Sequence, residues 1–303
     1  MSSLAILGAG AWGRALATQA IRAGTPTTLW ARNPAAIDTA LPITGILPGD
    51  GHDAILLAIP VQHLRDVLAR FRPTAPVVIC AKGIEAATGM LPLEIVASLH
   101  PHLAGAVLSG PNFAAEIAAG LPAASVIAAA DPALRATIIR LLASGTFRLY
   151  GNDDPVGAQL GGAAKNVIAI AAGIVAGAGL GENARAALIT RGLAELTRCV
   201  VALGGRASTV AGLSGLGDLL LTCTGAASRN YRCGLALGQG ITLADALAVS
   251  PGVVEGVATA PALLARAAGT DLPICTAVTA LLAGELTVER AVAALLARPM
   301  RDE

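Results

Sequence analysis

Lysine is almost absent from this sequence: of 21 basic residues only Lys82 and Lys165 are lysines, and the remainder are arginines. Arginine keeps its proton at any accessible pH, whereas a desolvated lysine has its pKa lowered into the range where it exchanges protons. The two exceptions are therefore either survivors of a compositional bias or carriers of chemistry. Histidine is confined too. His52, His63, His100 and His102 all lie in the first half of the chain, so an acid or base built in the second half must be something else. The five cysteines, Cys80, Cys199, Cys223, Cys233 and Cys275, include no Cys-x-x-Cys pair, which argues against a disulfide framework or a zinc knuckle and for reduced, packing thiols. No metal is expected: His100-Pro101-His102 has no third ligand nearby and reads as a solvated loop. Charge is sparse and balanced, with a formal net of +1 and no basic block, so nucleic acid is excluded as a partner. Long apolar runs are missing as well. The longest uncharged one, 167–181, falls short of the roughly 20 residues that span a bilayer, and reads as a buried helix, not a membrane span. No basic leader precedes Leu4-Ala5-Ile6-Leu7, so a cytoplasmic protein is expected.

What is present suffices for two cores: 303 residues, 54% of them hydrophobic. Leu4-Ala5-Ile6-Leu7, then Gly8-Ala9-Gly10-Ala11-Trp12-Gly13, then a helical run over 14–23 reads as strand, glycine turn, helix. In that context Gly8, Gly10 and Gly13 let a pyrophosphate approach the helix N-terminus; the alternative is a structural turn of another α/β protein. A second strand over 27–31 is followed by Arg32, where an NAD-selective site usually presents an acid to the ribose 2′-hydroxyl. A guanidinium there admits a 2′-phosphate, and so NADP or NAD, unless it is a solvated loop arginine. Pro42, Gly45, Pro48, Gly49 and Gly51 leave room for at most a short helix over 34–41. Strands over 54–59 (stopped by Pro60), 76–80, 106–108, 124–128 and 147–150, with a helix over 63–71, complete a parallel, doubly wound Rossmann-type sheet of about seven strands. Lys82 falls at its carboxyl edge, where ligands bind, and is expected to contact an anion.

After Tyr150, β-branched runs give way to Ala/Leu/Gly helical patterning as far as Arg298. The expected organisation is a dinucleotide-binding domain over 1–152 and an all-helical substrate and catalytic domain over 153–303, whose apolar faces allow a homodimer. Lys165 stands in Gly161-Gly162-Ala163-Ala164-Lys165-Asn166, at the start of the apolar run. In a helix over 184–203, Glu195 is spaced to share a face with Arg191 and Arg198, a surface ion-pair row. Asp218, after Gly212-Leu213-Ser214-Gly215-Leu216-Gly217, either orients Lys165 or caps a helix. Ser228-Arg229-Asn230 groups a guanidinium with two hydrogen-bonding neighbours, a suitable grip for a phosphate monoester.

Taken in order, Gly8-Ala9-Gly10-Ala11-Trp12-Gly13, Lys82-Gly83-Ile84-Glu85, Ser109-Gly110-Pro111, Ala164-Lys165-Asn166, Leu188-Ile189-Thr190-Arg191-Gly192, Gly215-Leu216-Gly217-Asp218 and Ser228-Arg229-Asn230 resemble the bacterial NAD(P)-dependent glycerol-3-phosphate dehydrogenases over nearly the whole chain. The resemblance implies interconversion of dihydroxyacetone phosphate and sn-glycerol 3-phosphate by hydride transfer with NAD(P)H, supplying phospholipid synthesis. It implies Lys165 as the proton acceptor, with Asp218 its partner in the catalytic pair. Lys82, Gly110, Asn112, Lys165, Asp218, Ser228, Arg229 and Asn230 fall at the family's substrate positions. Gly8, Gly10, Ala11, Trp12, Gly13, Arg32, Pro60, Lys82, Ala114, Arg229, Val253 and Glu255 fall at its cofactor positions. Three departures stand out. Asn112 replaces the family's usual Ser or Thr with a bulkier donor, Ala176 replaces a residue that is often acidic, and the 33–53 segment is short, which bears on cofactor selection at the adenine end and leaves the reaction intact. Dehydrogenases of 3-hydroxy acids or ketopantoate-like substrates share this build, as does a silent dinucleotide-binding redox sensor. Arg229 favours a phosphorylated substrate over the first, and the two lysines favour an enzyme over the second.

Overall fold

In the computed structural model, which describes residues 3–298, the short apolar runs of the first half lie side by side in one sheet. Its strands are β1 (Leu4–Leu7), β2 (Thr27–Trp30), β3 (Ile43–Thr44), β4 (Ala54–Leu57), β5 (Val77–Ile79), β6 (Gly105–Ser109), β7 (Ala123–Ala128) and β8 (Phe147–Asn152), in the order β3-β2-β1-β4-β5-β6-β7-β8. Every residue of β1, β4 and β5 is buried, which is why these runs are continuously apolar rather than alternating. Helices α1 (Ala11–Arg22), α2 (Leu64–Leu68), α3 (Pro92–Leu99), α4 (Ala114–Ala119) and α5 (Pro132–Leu142) cover the two faces. Leu16 and Ala20 of α1 and Ile138 of α5 pack with Ile6 and Phe147 on one face. Leu64, Leu68 and Ile95 pack with Leu7 and Ile55 on the other. The expected Rossmann-type sheet is present, with two corrections.

An eighth strand, β3, adds to β2 at the edge, and the helix expected over 34–41 shrinks to one tight turn at Pro34–Ala36. The second correction concerns direction: β7 runs antiparallel to β6, whereas a parallel sheet was expected. The connection explains it. α4 has six residues and rises about 9 Å. The five residues of β6 span about 16 Å, so α4 is too short to carry the chain back to the amino edge. β7 therefore starts from the carboxyl edge.

β8 ends at Asn152, and among the described residues the elements after it are all helices, a π-helix at Leu213–Gly217 and α6 (Pro155–Gly177), α7 (Glu182–Ala202), α8 (Ala207–Val210), α9 (Asp218–Thr224), α10 (Arg229–Gly238), α11 (Leu243–Ala248), α12 (Glu255–Arg266), α13 (Pro273–Leu282) and α14 (Val288–Leu296). The outermost residues of the two expected domains, 1–2 and 299–303, lie outside the described residues. α6 has the length and apolarity to cross a membrane, yet 89% of its most apolar window is buried in protein; its composition answers to a core. It meets α10 backbone to backbone. A Cβ on Gly173 or Gly177 would overlap carbonyl oxygens of α10, and one on Gly234 or Gly238 would overlap carbonyl oxygens of α6. These reciprocal glycines fix where α10 begins, and hence where Arg229 stands.

Two further expectations are corrected. Glu195 does not belong to a solvated charge row: it is 1% exposed and accepts backbone N–H bonds from Ile274 (2.6 Å) and Cys275 (3.2 Å) in the first turn of α13. Burial raises its pKa, and those N–H groups oppose the rise. Spacing along α7 could not reveal the end of another helix beneath it. His100 is likewise buried, its Nε2 3.0 Å from the Leu68 carbonyl, rather than part of a solvated loop.

Candidate active site

The glycine turn is shaped by close approach on two sides and by open space on the third. Gly8 has φ +110°, and a Cβ there would lie 2.5 Å from the Ala58 carbonyl oxygen, while one on Gly13 would overlap the Gly8 carbonyl. Gly10, by contrast, has nothing within 4 Å of where its Cβ would be. It is also the N-cap of α1, with no side-chain cap and no acid in the first turn. The first N–H groups of α1 thus keep their donors and positive dipole end for an anion, and these residues fit the pyrophosphate of a dinucleotide. Ala11 and Ala114 line an open groove of about 710 Å³ beside this turn. Pro60 follows the end of β4 and Arg32 is exposed just past β2. Gly10→Ala is expected to leave the melting temperature unchanged and to weaken NAD(P)H binding, measured by nicotinamide fluorescence. Unchanged affinity would remove this turn from the cofactor site.

Trp12 links the turn to the lysines, since its indole N–H donates to the Cys80 carbonyl (3.0 Å), two residues before Lys82. Sequence reading gave the two lysines separate roles, Lys82 as an anion contact and Lys165 as a proton carrier. The structure brings them onto one carboxylate. Lys165 Nζ lies 2.7 Å from Asp218 Oδ1 and Lys82 Nζ lies 2.6 Å from Asp218 Oδ2. Lys82 also donates to the Gly110 carbonyl (2.9 Å). α6 can come this close to the sheet because Gly162 lies one turn before Lys165; a Cβ there would press on Lys82 Cγ at 3.2 Å and Ser109 Oγ at 3.3 Å. Asp218 is 1% exposed and makes no cap bond, so of its two readings the structure has the lysine partner.

The electrostatics follow from this sharing. Burial pushes the Lys165 ammonium down to about 8; the Asp218 charge opposes the shift and the Lys82 charge adds to it. Burial alone would raise the Asp218 carboxyl, but the two ammonium groups outweigh it and hold it below the usual carboxylate range. Thr222, which sequence reading missed, accepts from Lys165 Nζ (2.7 Å) and donates to the Asp218 carbonyl (2.6 Å). Its signal was there: Asp218 and Thr222 stand four apart, on one face of a helix. Two of the three Nζ positions of Lys165 are thereby fixed, and the third is left for a reacting group.

The expected phosphate triplet is only partly presented. Arg229 is exposed at the first position of α10, and the Ser228 oxygen caps that helix by accepting the Tyr231 N–H. Asn230 turns inward: its Nδ2 donates to Asn166 Oδ1 (2.9 Å) and its Oδ1 accepts the Gly256 N–H (2.9 Å). Asn166 in turn donates to the Lys82 carbonyl (3.2 Å). Asn230 therefore holds Lys82 and the start of α12 together, a role that local sequence does not reveal. Next to it, Glu255 accepts the Val61 N–H (3.3 Å) through Oε1, while Oε2 is buried with no partner. Burial pushes its carboxyl up to about 7, opposed by that N–H and by Arg229. Val253 is 41% exposed just before it.

A helix N-terminus open to a pyrophosphate, joined through Trp12 to the segment of Lys82, whose ammonium shares Asp218 with the buried Lys165, defines a class: the nicotinamide-dependent dehydrogenases that set a helical layer against a Rossmann-type sheet. Comparison with known proteins narrows it. Family models described as NAD-dependent glycerol-3-phosphate dehydrogenase N-terminus and C-terminus match residues 3–41 with 49–135, and residues 154–293. The chain belongs to this family. It is 52% identical over 319 aligned positions to the glycerol-3-phosphate dehydrogenase [NAD(P)+] of Gluconobacter oxydans, covering 99% of this chain and 98% of that protein. It is 53% identical to the one from Acidiphilium cryptum, at 99% and 98% coverage. The crystal structure of glycerol-3-phosphate dehydrogenase from Coxiella burnetii superposes with a TM-score of 0.90 at 36% identity, covering 98% and 99% of the two chains. The break in the N-terminal match, after residue 41 and before 49, falls inside the short 33–53 segment.

Proposed function

We infer that this chain catalyses the NAD(P)-dependent interconversion of dihydroxyacetone phosphate and sn-glycerol 3-phosphate. The observation that carries this reading is Asp218 shared between Lys82 and Lys165, in a chain of this family. The bound nicotinamide supplies or accepts the hydride. Ala11, Trp12, Arg32, Pro60, Ala114, Val253 and Glu255 would hold the cofactor, and exposed Arg32 would tolerate a 2′-phosphate. In the reductive direction Lys165 gives the proton at its third Nζ position to the developing alkoxide; in the oxidative direction its lone pair takes the hydroxyl proton. The bonds to Asp218 and Thr222 persist through both states, so little reorganises when the proton moves. Lys82 keeps positive charge beside the reacting oxygen, and Arg229 with the Ser228 hydroxyl grips the phosphate.

We also place the enzyme in the cytoplasm, where it supplies the glycerol backbone of phospholipids; its five unpaired, buried thiols suit a reducing compartment. Exposed Val201, Val249 and Leu296 on the helical half suit a homodimer. The test is an absorbance assay at the reduced-nicotinamide band, with dihydroxyacetone phosphate and NADH or NADPH. Oxidation of either is expected, together with a requirement for the phosphate. Equal rates with both would show that Arg32 does not select, and no oxidation of either would overturn the reading.

A further inference from the structure

The open groove beside the glycine turn carries a cation that the mechanism does not use. α1 forms one wall with Ala11, Arg14 and Thr18, α4 forms another with Ala114 and Ala118, and the stretch 39–42 forms the third; no acid lines it. Arg14 is half-buried and stands four residues after the Gly10 N-cap, about 6 Å along the helix axis. Helical side chains lean toward the N-terminus, and the guanidinium lies against the loop that leaves β2, where Nη1 donates to the Asp38 carbonyl at 3.5 Å. Among the described residues no carboxylate pairs with it, and Asp38 itself is exposed. A guanidinium held by one long hydrogen bond keeps most of its donors for a ligand. The loop after β2 is also where a Rossmann-type site receives the ribose of the adenosine half, and where an arginine accommodates a 2′-phosphate. In this chain the same loop is short, and the family match breaks there, after residue 41 and before 49.

We propose that Arg14 determines cofactor specificity: together with exposed Arg32 it pairs with the 2′-phosphate of NADP, and the enzyme binds NADP in preference to NAD. The groove suits an occupant of that charge. Ala11 and Ala114 make it continuous with the glycine turn, and its charges are the positive end of α1 and the Arg14 guanidinium. NAD has a hydroxyl where NADP has a phosphate, so a guanidinium at this point acts strongly on one cofactor and little on the other. Sequence reading gave that selection to Arg32 alone, because an arginine one position past the glycine motif carries no local signal. The inference rests on the NAD(P) reading above.

Dissociation constants for NADPH and NADH, read by nicotinamide fluorescence on the parent, Arg14→Ala and Arg14→Lys, test it, with melting temperatures as a check on folding. The parent is expected to bind NADPH about tenfold or more tightly than NADH. Arg14→Ala is expected to weaken NADPH about tenfold and to leave NADH within about twofold. Arg14→Lys should recover part of the NADPH affinity, since it restores the charge without the planar fork. Displacement of NADPH by 2′,5′-ADP and by 5′-AMP isolates the phosphate: the parent should favour the first, and Arg14→Ala should shrink that preference by the same factor. A parent without preference for NADPH overturns the proposal, as does an Arg14→Ala enzyme that keeps the parent's NADPH to NADH ratio or loses both cofactors equally. A parent that binds neither nucleotide overturns the cofactor reading and the proposal with it. One that binds NADPH selectively, responds to Arg14→Ala as stated and leaves dihydroxyacetone phosphate unreduced overturns the substrate reading alone and supports the proposal.

Discussion

Lys165→Arg is expected to bind NAD(P)H as the parent does and to lose about 10²- to 10⁴-fold in kcat, the range that a placed acid or base contributes. The substitution keeps the positive charge next to Asp218, so the ion pair survives. What it removes is the capacity to lose a proton, because a guanidinium remains protonated at every accessible pH. The parent lysine differs in that respect for a structural reason: α6 is buried, the Lys165 side chain is 8% exposed, and burial beside Lys82 brings its pKa to about 8. Cofactor titration by fluorescence and initial rates in both directions check the result. Turnover near that of the parent would mean that the proton moves through another group.

Asp218→Asn is expected to have the second large effect, and on two readouts. Both ammonium groups then face a neutral amide, and Lys82 and Lys165 repel each other without compensation. Removing one member of a buried ion pair destabilises by about 3–5 kcal/mol, which urea denaturation will read. Without the Asp218 charge the pKa of Lys165 falls further, since that charge is what opposes burial. In the substituted enzyme the inflection that Lys165 imposes on kcat/KM is therefore expected to move to lower pH, in both directions alike. An inflection that stays where the parent has it would show that Asp218 is structural only.

Much of the fold was legible because its signals are local. Continuous apolar runs gave the strands, Pro60 marked the end of one, and the loss of β-branched residues after Tyr150 announced the helices. The direction of β7 was not legible, because it depends on how far α4 reaches compared with the strand it follows. Lys165 was legible as an oddity of composition and through family resemblance, but its partners come from far along the chain: Asp218 lies 53 positions away, and Lys82 lies 136 positions from Asp218. Sequence reading assigned the two lysines different tasks because nothing local says that they share a carboxylate. Glu195 failed for the same reason. Its neighbours on α7 are charged, yet its hydrogen bonds go to backbone 79 and 80 positions on. Asn230 was noted for its neighbour Arg229, while the structure commits it to Asn166 and Gly256.

The central claim is that Lys165 exchanges the proton and that its surroundings set the pH at which it does so. The pH dependence of kcat/KM in both directions tests it, because that ratio reports groups of the free enzyme. Oxidation requires the neutral amine, so its rate is expected to climb as pH rises through about 8. Reduction requires the ammonium and is expected to fall over the same interval, with both limbs lost in Lys165→Arg. Profiles that are flat between pH 7 and 9, or that keep the same inflection in Lys165→Arg, would contradict the account.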